Sequence, residues 1–302
     1  MAKPNLKQDK SLGQHWLVDE MILDKIALSL EGFDYDAILE VGPGKGALTS
    51  YLLKKIKSEG KHLFAVEFDE RMYQHLQKQY KENNNITIIN QDYLKFNEEE
   101  LLPHPGASTC PISSDQLADG EGVKEASKKM QFFNYIIIAN LPYNISSPIF
   151  NKLITAKLKP AGAALLVQKE VAVRLASGAG QRNSSPLSIE LNNYYETELG
   201  IVVPKEAFDP PPKVTSQVIK LKLREETVFG ENLAGVMKLV RLGFKMRRKK
   251  LINNLASLNI SNQNLSLILT ELNIETSIRA EQMSNGQWLE LYLHFKDLGV
   301  LK

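Results

Sequence analysis

The chain has 302 residues, 43% hydrophobic and 24% charged, with a formal net charge of +2. These proportions belong to a globular protein with a sizeable core and exclude a disordered or collagen-like chain. The single cysteine, Cys110, excludes an intrachain disulfide, and no apolar run is long enough to span a bilayer.

The N-terminal stretch MAKPNLKQDKSLGQHW has no apolar signal core, so a cytoplasmic location is expected. Short β-rich apolar runs then alternate with longer helical patterns. The strand candidates are AILEVG from Ala37, HLFAVEF from His62, ITIINQD from Ile86, YIIIANLP from Tyr135 and AALLVQK from Ala163. Several are apolar on both faces, as in a parallel sheet covered by helices, which makes the fold class α/β. LGIVVP from Leu199 and SQVIKLKL from Ser216 lie too close for a crossover helix and are expected as an antiparallel pair at the sheet edge. From Leu233 onward Leu, Ile and Asn recur at helical spacing. The boundary is placed near residue 225, giving domains over residues 1–224 and 225–302. The stretch 103–131, rich in Pro, Gly, Ser and Asp, is expected as a flexible surface insertion.

LEVGPGKGALT follows the first strand and opens a helix. Gly42, Gly44 and Gly46 allow a tight turn and close approach of backbone to a ligand. Glu67 ends the second strand, at the offset of an acid that grips ribose hydroxyls. The pair points to a nucleotide-like cofactor without saying which. Asp92 ends the third strand; it suits an exocyclic amine as acceptor and equally a helix N-cap for YLKFNEEELL.

The fourth strand ends in Asn140, Leu141, Pro142 and Tyr143 at the same ligand edge. Pro142 fixes the loop and donates no hydrogen bond. The Asn140 side-chain carbonyl and the Leu141 backbone carbonyl are two acceptors suited to one amino group, and Tyr143 offers a ring for a flat base. A proline turn with a surface tyrosine is the plainer alternative. Between Lys238 and Lys250 there are seven basic residues and no acid, which reads as a basic helix suited to phosphates or as a solvated face.

Through LEVGPGKGALT and NLPYNISSP the chain resembles the S-adenosylmethionine-dependent N6-adenine methyltransferases. KSLGQHWL, VPKEAFDPPPKVTS, FKMRRKKLINNL and RAEQMS narrow the resemblance to the small-subunit ribosomal RNA adenine dimethyltransferases, the kasugamycin-sensitivity methylase family, over nearly the whole chain. The resemblance implies a Rossmann-like class I methyltransferase sheet with a small all-helical C-terminal domain. It implies transfer of methyl groups from S-adenosylmethionine to two adjacent adenines near the 3′ end of 16S rRNA in an assembling subunit. By motif, Gln14, His15 and Leu17 line the methionine end of the cofactor, with Gly42, Gly44, Glu67, Asp92 and Asn140 as its further contacts. Asn140, Leu141 and Tyr143 hold the target base and Phe208 closes over its other face. Lys245, Arg247, Arg248, Lys249 and Lys250 contact RNA, and a monomer is expected.

The departures from the family pattern are Trp16 for Phe, a longer insertion after Leu102, and Ser185–Pro186 for Tyr-Gly. Two alternatives are a large-subunit rRNA methylase of the macrolide-resistance type and an assembly factor that binds RNA without needing catalysis. A nicotinamide dehydrogenase would share the fold but has no use for Asn140 to Tyr143.

Overall fold

The computed structural model describes residues 15–57, 59–102 and 133–301. Gln14 and the insertion over 103–131 lie outside these residues.

Seven strands form the main sheet. They are β2 (Ala37–Val41), β3 (His62–Glu67), β4 (Ile86–Asn90), β5 (Tyr135–Asn140), β6 (Gly162–Gln168), β7 (Tyr195–Val203) and β9 (Ser216–Leu223), in the order β4-β3-β2-β5-β6-β9-β7. β4, β3, β2, β5 and β6 run parallel, and β9 is antiparallel to β6. The chain steps outward from β2 through β3 to β4, then returns to β2's other side as β5. That reversal creates a crevice outside the carboxyl ends of β2 and β5, where open α/β sheets take their ligands.

The central strands are buried throughout, which is why their sequence reads as near-continuous Ile, Leu, Val and Ala. Side chains alternate between the two faces. Ile38, Ile136, Ile138, Ala164 and Leu166 share one apolar cluster with Leu23 and Ile26 of helix α1 (Glu20–Leu28) and Leu48, Leu52 and Ile56 of helix α2 (Ala47–Ile56). Each fully buried Leu or Ile contributes roughly 1.5–3 kcal/mol relative to exposure. Asp19 starts α1 by accepting from the N–H of Ile22 at 3.1 Å.

The two late strands are neighbours, with β7 at the edge, and β7 begins at Tyr195, four residues before the predicted start. A second, two-stranded sheet was not anticipated. In it β1 (Trp16–Leu17) pairs antiparallel with β8 (Phe208–Asp209), Leu17 opposite Phe208. Strands of two residues are too short to carry a periodic signal.

The chain divides into two compact units, one ending its first stretch at Lys169 and adding Glu198–Leu223, the other made of Glu170–Thr197 and the residues from Arg224. The predicted division kept 170–197 with the first domain; the contacts group it with the second. Within the second unit, Ser185 caps the helix Pro186–Tyr194 through a capping box with Ser188, with Pro at the first turn. The Ser185–Pro186 departure is therefore a helix start. The core of this unit is built around Trp288, Phe295, Leu251 and Leu269.

The basic run is only partly helical. The helix Leu233–Gly243 carries Lys238 and Arg241 and ends within the run, and Lys245 to Lys250 follow it outside the helix. The cause lies downstream: Asn254 donates to the carbonyls of Gly243 at 2.5 Å and Met246 at 3.2 Å and accepts from the N–H of Met246 at 3.0 Å. One buried amide thereby takes over backbone groups that a continuing helix would pair. Gly243 itself packs so closely on Trp288 that a Cβ would lie 2.6 Å from the ring.

Candidate active site

A cavity of about 350 Å³ opens at the carboxyl ends of β2 to β5. Its walls include the glycine turn, Glu40, Glu67, Phe68, Asp92, Asn140 to Tyr143, and Phe208. Its size is within the range of small-molecule sites.

Gly42, Gly44 and Gly46 all have positive φ, at 67°, 57° and 80°. Gly46 is the most constrained, since a Cβ there would also lie 2.7 Å from Leu76. Helix α2 starts at this glycine with no side-chain cap, so its first N–H groups stay open to a ligand. Glu67 is 5% exposed and accepts from Gly44 N–H at 2.9 Å and from Asp69 N–H at 2.8 Å. Burial pushes its carboxyl above the usual range, and these backbone donors pull it back. A carboxylate has about four lone-pair sites, so two hydrogen bonds leave acceptors for a diol.

Asp92 lines the cavity and also caps the short 3₁₀ turn Tyr93–Lys95, accepting from Leu94 N–H at 3.0 Å. The capping expectation is met, on a 3₁₀ turn in place of the expected helix.

Asn140 ends β5 and donates through Nδ2 to the backbone carbonyl of His15 at 3.1 Å. A carbonyl can only accept, so this bond fixes the amide's orientation and leaves Oδ1 for another donor. Leu141 is buried, and its N–H goes to the carbonyl of Leu166 at 3.1 Å. Tyr143 is half-buried rather than exposed. It is stacked on His15 with centroids 5.7 Å apart and bonded to Ser216 Oγ at 2.7 Å. Burial raises its phenol further above the ordinary value. His15 in turn meets the carbonyl of Pro210 through Nδ1 at 2.9 Å. His15 is thus tied to Asn140 and Tyr143, and Leu17 is buried in the cavity wall. Phe208 is 3% exposed, so it is both a cavity wall and a core anchor beside Leu17.

Several lining residues were not singled out from sequence. Phe68 is 62% exposed and gives a bare ring face next to Glu67. Lys45 Nζ sits 3.5 Å from the Trp16 ring centroid, a cation–π contact against the turn. Glu40 is 2% exposed in the middle of β2 and accepts from Thr49 Oγ1 at 2.7 Å. Burial raises its carboxyl to about 8. Carboxyl groups outnumber cations on these walls, which suits a positively charged ligand.

In the second unit, Lys245, Arg248, Lys249 and Lys250 are exposed and form no ion pair among the described residues. Arg247 differs: it pairs with Glu281 at 3.1 Å and donates to the carbonyl of Arg182 at 3.1 Å. Two bonds to its own unit make it a structural tie first.

The model of the ribosomal RNA adenine dimethylase family matches residues 5–297. The chain belongs to the ribosomal RNA adenine dimethylase family. Among its relatives, a ribosomal RNA small subunit methyltransferase A of Dehalococcoides mccartyi is 35% identical, over 96% of this chain and 89% of that protein. A crystal structure of a dimethyladenosine transferase from Plasmodium falciparum superposes with a TM-score of 0.71 at 26% identity, covering 95% of this chain and 99% of that one. The 23S rRNA methyltransferase ErmE shares the fold, at TM-score 0.66 and 22% identity over 93% and 99% of the two chains. The dimethylase fold is therefore a Rossmann-like sheet with a helical C-terminal part.

Proposed function

We propose that the protein transfers methyl groups from S-adenosylmethionine to N6 of two adjacent adenines near the 3′ end of 16S rRNA, giving N6,N6-dimethyladenosine during subunit assembly. The observation that carries this is the Asn140–Tyr143 turn, with its amide orientation fixed, beside the glycine turn in one cavity. Family membership and the name of the relatives support the substrate. No helix among the described residues is long and apolar enough to cross a membrane, and a ribosomal substrate favours the cytoplasm.

The cavity fits the cofactor. The open glycine backbone, the remaining acceptor capacity of Glu67, the ring face of Phe68 and the excess of carboxyl groups suit a cationic nucleoside of this size. Gly42 and Gly44 would lie along it, Glu67 would take the ribose hydroxyls and Asp92 the adenine amine, with His15 and Leu17 toward its methionine end. S-adenosylmethionine supplies an electrophilic methyl group.

The chain's own residues hold and polarise the nucleophile. Asn140 Oδ1 and the Leu141 carbonyl accept from the two amine hydrogens and orient the N6 lone pair toward the methyl carbon. As the N–C bond forms and the methyl group leaves the sulfonium sulfur, S-adenosylhomocysteine departs as a neutral thioether. Positive charge grows on nitrogen, and these acceptors stabilise it; in the second transfer the one remaining N–H engages one of them. No strong base is required, because the amine proton becomes acidic once the methyl has arrived. Tyr143 stacks on the base, and Phe208 forms the opposite wall. The exposed cations Lys245, Arg248, Lys249 and Lys250 would meet RNA phosphates, with Arg247 contributing through its remaining donors.

Glu67→Ala is expected to weaken S-adenosylmethionine binding by about a hundredfold, the loss of two charge-assisted hydrogen bonds and a slackened turn. Calorimetric titration checks this; an unchanged dissociation constant would remove Glu67 from the ribose.

The function itself is tested with methyl-labelled S-adenosylmethionine offered to unmethylated small subunits, bare small-subunit RNA and large-subunit RNA. Label as N6,N6-dimethyladenosine in small subunits supports the proposal. Label only in large-subunit RNA assigns the macrolide-resistance type of activity. RNA binding without label, in protein that binds the cofactor, assigns an assembly role.

A further inference from the structure

We propose that Ser216 is a positioning residue for the target base, acting through the hydroxyl of Tyr143. This deepens the methyl-transfer reading and rests on it. Stacking alone does not need a phenol: the ring of phenylalanine offers the same face. The Tyr143 hydroxyl is instead spent on Ser216 Oγ at 2.7 Å, across 73 residues of sequence.

Ser216 is suited to be the fixed end of that bond. It is fully buried. It is the first residue of β9 and sits opposite Gln168 of β6 in the antiparallel register. The preceding carbonyl, of Thr215, takes the N–H of Lys169 at 3.0 Å. Its Cα therefore belongs to the sheet. Tyr143 is the mobile end. It stands on a short 3₁₀ turn, Tyr143–Ile145, whose backbone enters through Pro142 at φ −56°. Proline fixes the turn, but two side-chain torsions remain free to swing the ring. The His15 contact limits one face, with an interplanar angle of 28°. The Ser216 bond pins the far edge. With both in place the ring plane is set before a base arrives.

The bond also gives the fully buried Ser216 hydroxyl a partner. A buried hydroxyl without a partner is costly, so ring and serine hold each other. Removing one partner frees the ring to tilt and misplaces the base that stacks on it, and small misplacements at a reacting centre cost rate steeply. The nucleoside end of the cofactor site, on the glycine turn, Glu67 and Asp92, is not touched by this bond.

The test is a double-mutant cycle on the whole protein. Turnover at saturating S-adenosylmethionine and RNA is measured for the parent, Ser216→Ala, Tyr143→Phe and the double variant, with the cofactor dissociation constant and Tm of each. Each single variant is expected to lose about tenfold in kcat, in line with one lost hydrogen bond. The double variant is expected to lose no more than either single, and cofactor affinity is expected to stay within twofold. Ser216→Ala turning over at the parent rate would overturn the inference. So would losses that multiply in the double variant, because Ser216 would then act on something other than Tyr143. A folded, cofactor-binding parent that methylates no RNA would instead sink the methyl-transfer reading, and the inference with it.

Discussion

Replacing Asn140 by alanine lowers methyl transfer by about two to three orders of magnitude, while S-adenosylmethionine binds as tightly as it does to the parent. The expectation comes from where the side chain's bonds go. Nδ2 is committed to the carbonyl of His15 at 3.1 Å, so the amide cannot flip without setting two acceptors against each other. Oδ1 is then held ready for an amine hydrogen before substrate binds. Alanine removes this acceptor where positive charge develops and leaves the incoming nitrogen oriented by Leu141 alone. It also releases His15, the ring on which Tyr143 is stacked. The main ground-state grip on the cofactor, on the glycine turn, Glu67 and Asp92, stays in place, and the disturbance is confined to its methionine end. Asn140→Asp separates the two roles: it keeps an acceptor but sets an oxygen against the His15 carbonyl. Its rate is expected to fall between those of the parent and Asn140→Ala. Single-turnover rates with a parallel cofactor titration decide the matter. Parent-like chemistry in Asn140→Ala would end the amino-clamp account.

Much of this site could be located from sequence because each part follows a strand whose burial writes itself plainly. β5 is five fully buried residues and then Asn140, so the polar residue marks the strand's end and the sheet's ligand edge together. The glycine turn and Glu67 stand at the ends of adjacent strands for the same reason. What escaped was set by groups far away in sequence. The basic run begins inside a helix and leaves it after Gly243, where Asn254 captures the carbonyls of Gly243 and Met246. Arg247 is tied to its own unit by Glu281, 34 residues on. The segment from Glu170 to Thr197 has the same helical composition as either unit, and only packing assigns it. Asp92 showed that a weighed alternative need not exclude its rival, since it caps a turn and faces the cavity at once.

Glu40 escaped for a different reason, being hidden within an apolar strand, and it yields the second large effect. It lies between Ala65 of β3 and Ile138 of β5 in the parallel register, fully covered. Among the described residues its one hydrogen-bonding side chain is Thr49 of α2, so the pair ties the strand before the glycine turn to the helix after it. Burial raises the carboxyl to about 8, Thr49 lowers it in part, and the charge of Glu67 adds to the rise. Tyr80, which it also affects, is pushed up to about 12 and stays neutral. Glu40 in the folded protein is therefore mainly neutral at pH 7. The unfolded chain ionises near 4.5, so between there and about 8 the folded state holds one more proton than the unfolded state. The contribution of Glu40 to stability then falls as pH rises through that window, by about 1.4 kcal/mol per unit, or on the order of 4 kcal/mol from pH 5 to 8. Glu40→Gln keeps the shape and an acceptor for Thr49 but has no proton to lose. Its advantage over the parent should be small at pH 5 and grow steadily to pH 8, read from urea unfolding midpoints at each pH. Parallel pH profiles for the two proteins would mean that Glu40 is ionised in the fold, and that the glycine turn is braced by a charge instead of a neutral acid.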